Sequence, residues 1–165
     1  MDFFADNILA IAVFFTIFTL VFLFFRNTTP KVDARKFSKN EIEIKLRAYE
    51  RLTLFLERIE PVGMINRLAL HNSSIDLITS TLIKNIVLEY EYNVSQQIYV
   101  SDGLWKMLEL IKNKMINSVA VCSKSLSKKS TSDDLVKKLL EKSKQHTILI
   151  RRAQKILKEE VRSIS

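Results

Sequence analysis

The feature that most constrains this chain is an unbroken uncharged stretch near its start. From Ile8 to Phe25 there are 18 residues without Asp, Glu, Lys or Arg, and 14 of them are Ile, Leu, Val or Phe. As an α-helix rising about 1.5 Å per residue, the run spans about 27 Å, near the roughly 30 Å of a bilayer's hydrocarbon core. A helix apolar all round has no polar face to turn to water. A cleavable leader would begin with positive charge and end in small residues. Here Asp2 and Asp6 precede the run and Phe24-Phe25-Arg26 closes it. The expectation is a transmembrane anchor over residues 1–26, meeting lipid through residues 8–25. All 26 Lys and Arg lie at or after Arg26, with Lys31, Arg35 and Lys36 close behind. The positive-inside rule then predicts a single-pass inner-membrane protein, N-terminus outside and C-terminus in the cytoplasm.

Residues 27–37 read as a juxtamembrane linker, since Pro30 disfavours helix at Thr29. Residues 38–165 read as a cytoplasmic helical domain. Only two Gly and two Pro argue against a turn-rich β-fold and against a glycine-cradled phosphate loop. Ser38 and Glu41 have capping-box spacing, and Ile42, Leu46, Tyr49, Leu52, Phe55, Leu56 and Ile59 follow at helical steps up to Glu60-Pro61. A short helix or turn is expected from Met64 to Leu70, and Ser73 with Asp76 suggests another cap. One long helix is then expected to reach Ser101, although β-branched residues leave a strand near Ile83 to Val87 open. Leu104 to Leu126 and Leu135 to Val161 give two more amphipathic runs, separated by the polar stretch from Ser123 to Ser132. The fold class expected is all-α: an N-terminal transmembrane helix followed by a cytoplasmic bundle of about four helices.

Catalytic chemistry finds little support. His146 lies on an apolar stripe, where packing explains it, and His71 sits at a helix end. No pair of ligands shares a helix face at metal-binding spacing. Cys122 falls on a buried stripe, Asp133-Asp134 suits a helix start, and Glu159-Glu160 falls on a charged, solvated end. No catalytic, metal or cofactor site is expected, and the chain reads as a non-enzyme. Positive charge offers a surface instead: Lys36, Lys128, Lys129, Lys137, Lys138, Arg151 and Arg152 are candidate contacts to an anionic leaflet. Nucleic acid is disfavoured because Tyr49, Tyr90, Tyr92, Tyr99 and Trp105 lie away from the lysine-dense end.

Two segments carry a resemblance: Ala48 to Pro61, AYERLTLFLERIEP, and Glu89 to Ser101, EYEYNVSQQIYVS, with Trp105 shortly after. They resemble an uncharacterised family of small single-span membrane proteins found in Bacteroidota. The resemblance implies a bacterial inner-membrane address and brings no activity, cofactor or catalytic residue.

The second segment is also unusual physically. Asn93, Ser95, Gln96 and Gln97 are uncharged polar groups among aromatics, and each buried polar group left unsatisfied costs about 1–3 kcal/mol. Arg51, Arg58, Tyr90, Asn93, Gln96, Gln97 and Trp105 therefore form a candidate polar network between two helices, or else a docking face. The leading expectation is a membrane-anchored accessory or scaffold subunit that binds a protein partner, or another copy of itself, through its helices. The alternative is a tethered basic module that holds anionic lipid or nucleic acid.

Overall fold

A computed structural model of the chain describes residues 8–28 and 38–164, with side chains placed over 12–23 and 38–164. The chain divides into two units, residues 1–36 and 37–165. Lys36 and the linker positions 29–37 lie outside the described residues.

In the first unit, α1 runs Ile8–Thr28. Its side chains from Val13 to Leu23 are exposed, with Phe14 stacked near Phe18 at 6.4 Å between ring centroids. The hydroxyls of Thr16 and Thr19 turn back onto carbonyls one turn earlier, Thr16 to Val13 O at 2.8 Å and Thr19 to Phe15 O. The expected transmembrane span is not supported: among the described residues no helix is long and apolar enough to cross a membrane. Polar side chains interrupt the apolar run, with Thr16 and Thr19 inside it. The last turn of α1 reads Arg26-Asn27-Thr28. The single-pass inner-membrane assignment and its orientation rested on that span and fall with it.

The second unit is all-helical among the described residues. Helix α2, Lys39–Arg58, starts at the expected capping box: Ser38 N–H donates to Glu41 Oε2 at 2.7 Å and Glu41 N–H to Ser38 Oγ at 3.2 Å. The chain then turns into α3, Pro61–Arg67. Pro61 both ends the first helix and opens the second, because its fixed φ and missing N–H suit a first helical turn. Glu60 caps α3 through Gly63 N–H at 2.5 Å.

Helix α4, Ile75–Glu91, is capped by Ser74, which accepts from Leu77 N–H at 3.2 Å. The cap is therefore one residue later than the Ser73 expected. The long helix expected up to Ser101 is broken, and a 3₁₀ helix occupies Val94–Tyr99. No glycine or proline marks that break. Asn93 donates its side-chain amide to Glu89 O at 2.7 Å there, a bond that Asn85 also makes, to Thr81 O, within the unbroken α4. The strand alternative near Ile83 is replaced by helix. Helix α5, Asp102–Lys124, is capped by Ser101, and α6, Ser132–Ile164, is 33 residues long. At the start of α6, Thr131 N–H donates to Asp134 Oδ2 at 2.8 Å, and this bonding holds the exposed carboxyl below its ordinary range.

The core sits where the stripes of these helices meet. Leu52, Phe55 and Leu56 of α2, with Ile59 at its C-cap, join Ile78, Leu82 and Ile86 of α4, all fully enclosed. Leu104, Leu108, Ile111, Met115 and Val119 of α5 recur at three- and four-residue steps and pack against Leu135, Leu139, Ala153 and Leu157 of α6. His146 and Cys122 are buried on these same faces.

Candidate functional site

Two arginines of α2 hold the junction where α4 gives way to the 3₁₀ helix. Arg51 Nη2 donates to Tyr92 O at 2.8 Å, and Arg58 lies 3.7 Å from the Glu89 carboxylate. Between them is a cleft of about 270 Å³ lined by Arg51, Leu54, Arg58, Tyr92 and Asn93. The amides close locally and do not bond the arginines: Asn93 bonds Glu89 O, and Gln96 Nε2 donates to Ser95 Oγ at 2.9 Å. Gln97 is exposed.

Tyr90 and Trp105 turn inward together, 5.4 Å between ring centroids, with Phe55 6.3 Å from Tyr90 and Lys112 Nζ 4.2 Å over its ring. The Tyr90 hydroxyl donates to Glu109 Oε1 at 2.8 Å. Burial, then that carboxylate, pushes its pKa up to about 12, so it stays protonated near neutral pH. These two aromatics are internal supports. The outward groups at this junction are Tyr92, 68% exposed, and Ile98, 73% exposed, with Leu54 and Val94 also open. Sequence periodicity missed them because it placed one continuous helix through a segment that changes its turn.

The basic candidates do not gather into one patch. Lys138 is committed to the end of α5, where its Nζ donates to Ser125 Oγ at 2.8 Å. Lys128 and Lys129 lie in the turn before α6, while Lys137, Arg151 and Arg152 are exposed along α6. Lys137 and Arg151 are separated by about 21 Å of helix.

A second constellation lies between α5 and α6. Ser118 Oγ is 2.7 Å from His146 Nε2, and His146 is 5% exposed. Burial pushes the imidazole below its ordinary pKa; the Glu60 carboxylate opposes this, while Lys114 and Lys142 add to it. The sign follows: a depressed folded-state pKa gives stability that is present above the unfolded value and lost as pH falls through the folded one. Thermal stability is expected to decline as pH drops from about 6.5, and His146→Gln should flatten that limb of a melting-temperature profile. An unchanged limb in the variant would remove His146 as its cause.

Serine, histidine and carboxylate together invite comparison with a hydrolase triad, but the geometry does not match one. Glu60 makes no hydrogen bond to the ring, and its Oε1 and His146 Nδ1 are buried without a partner among the described residues. Ser118 lies inside a helix whose N–H groups are engaged, so none is free to stabilise an oxyanion beside it. Burial pushes the Cys122 thiol upward, away from a reactive thiolate. Among the described residues no group of three His, Cys, Asp or Glu is placed to hold a metal ion.

With this geometry in view, sequence comparison adds a family. The model of a family of unknown function, DUF7935, matches residues 1–164. The chain belongs to that family. The match covers nearly the whole length, Ala48 to Pro61 and Glu89 to Ser101 included. No curated protein and no solved structure matches the chain.

Proposed function

We propose that the helical unit over residues 37–165 is a non-enzymatic protein-binding module of a Bacteroidota protein, docking a partner on the face formed by α2 and the 3₁₀ helix. The observation that carries this reading is the exposure of two large side chains along α2: Tyr92, 68% exposed, on the cleft rimmed by Arg51 and Arg58, and Ile98, 73% exposed, on a second cleft with Lys45 and Tyr49. Large apolar and aromatic side chains flanked by arginine are the composition of interface hot spots. The backbone beneath is held by Arg51 and by the Tyr90–Trp105 pair, so the anchors are presented on a fixed base. A rigid presentation lowers the entropy cost of association. The partner on this reading is a protein chain whose apolar side chains cover Tyr92 and Ile98.

The test is photo-crosslinking in the native cells from positions 92 and 98, with exposed position 144 as the comparison. Positions 92 and 98 should trap the same protein, and position 144 should not. The double variant Tyr92→Ala/Ile98→Asp is expected to weaken purified binding at least about 30-fold, the scale of a 2 kcal/mol hot spot, while leaving the melting temperature within about 2 °C. Full retention of the partner by that variant, or equal trapping from position 144, would overturn the reading.

A further inference from the structure

We propose that the cleft between α5 and α6 over the Ser118–His146 pair is a binding site for a small phosphoryl anion. The cleft has a volume of about 190 Å³, and its polar lining is Lys114, Asn117 and Ser118 from α5 with Lys142, Gln145 and His146 from α6. The arrangement is a repeated one. On α5, Lys114, Asn117, Ser118 and Val121 stand at i, i+3, i+4 and i+7; on α6, Lys142, Gln145, His146 and Leu149 stand at the same steps. Those steps place four residues on one helix face. Each helix thus brings a cation, an amide, a hydrogen-bonding group and an aliphatic residue, and the 2.7 Å Ser118–His146 contact joins the two sets.

The groups are also uncommitted. Neither lysine is in an ion pair among the described residues. Asn117 and Gln145 make no side-chain hydrogen bond there either. His146 is buried, lines the cleft, and keeps one ring nitrogen without a partner. When Nε2 is the donor to Ser118 Oγ, the hydroxyl hydrogen is free to point at a ligand oxygen. Two ammonium groups, two amide NH₂ groups and one hydroxyl then line a single small volume, and donors there outnumber the acceptors, which are the two amide carbonyls and His146 Nδ1. A phosphoryl group has the oxygens to accept from several of them at once and the charge to offset both lysines. The same two cations act on the imidazole, so a bound anion relieves their repulsion and favours its protonation, as the Glu60 carboxylate does.

The test is calorimetric titration of the full chain with inorganic phosphate, pyrophosphate and glycerol phosphate in separate runs, which also shows whether a free ion or an ester is preferred. Saturable binding is expected, weakened at least about tenfold in each of Lys114→Ala and Lys142→Ala. Both lysines are exposed, and an unchanged circular-dichroism melt checks that the variants fold. The control is Lys137→Ala, which removes the same charge from the outer face of α6 and should leave binding within about twofold. No saturable binding by any of the three anions would overturn the proposal. Equal loss in the control would do so too, since the anion would then be reading net charge.

Discussion

Replacing Phe55 with alanine is expected to cost about 3–5 kcal/mol, the range for truncating a fully enclosed phenylalanine. Phe55 is 1% exposed and stands between the α2 stripe and the Tyr90 ring. Its removal deletes transfer energy and leaves a cavity that rigid neighbours on α2 and α4 cannot close. For a unit of this size the loss corresponds to a fall in melting temperature of about 10–20 °C. The chain contains one tryptophan, Trp105, and it packs on Tyr90. Its fluorescence therefore reports the same site, and the emission of the folded variant should shift to the red. Phe55→Leu keeps most of the volume and should cost under half as much. A cost below about 1 kcal/mol for the alanine variant would mean that Phe55 does not carry the junction.

The helices with side-chain caps and regular stripes were legible from sequence, because both signals are local. Ser38 with Glu41 satisfies helix N–H groups within three residues of itself, whereas the cap expected at Ser73 is made by Ser74. What sequence did not reveal is tertiary or depends on small local energies. The break after Glu91 has no glycine or proline to mark it, and helical periodicity continues through it unperturbed. The matching faces around Ser118 and His146 carry no meaning until α5 and α6 are set side by side. The uncharged stretch of α1 illustrates the opposite error. Hydropathy alone predicted a span there, and among the described residues no helix is long and apolar enough to cross a membrane.

Glu160 was read as a solvated charge, and the structure makes it a clasp. One carboxylate accepts from the Tyr49 hydroxyl at 3.2 Å, from Ser101 N–H at 3.2 Å and from Ser101 Oγ at 2.5 Å. It thereby ties α6 to α2 and to the cap of α5, and Tyr49 is only 5% exposed. Glu160→Ala strands a buried hydroxyl and loosens a helix cap, for an expected cost of about 2–3 kcal/mol. Neighbouring Glu159 bonds only Lys155, one turn away at 3.7 Å, and its alanine variant should stay within about 0.5 kcal/mol. The pair is a matched control, with similar composition and opposite positions. pH supplies a second readout. Burial first, then the Glu160 charge and hydrogen bond, push the Tyr49 hydroxyl up to about 12 from 10.0. A raised folded-state pKa gives stability that is present below the unfolded value and lost as pH climbs through the folded one. The protein should therefore lose stability between about pH 10 and pH 12, with Tyr90 contributing over the same window. Glu160→Gln removes the charge but leaves the burial, so ionisation of Tyr49 in the folded state should begin at lower pH. Denaturant unfolding across that window measures both effects. Equal stability of the Glu159 and Glu160 alanine variants would show that the clasp does not hold the end of α6.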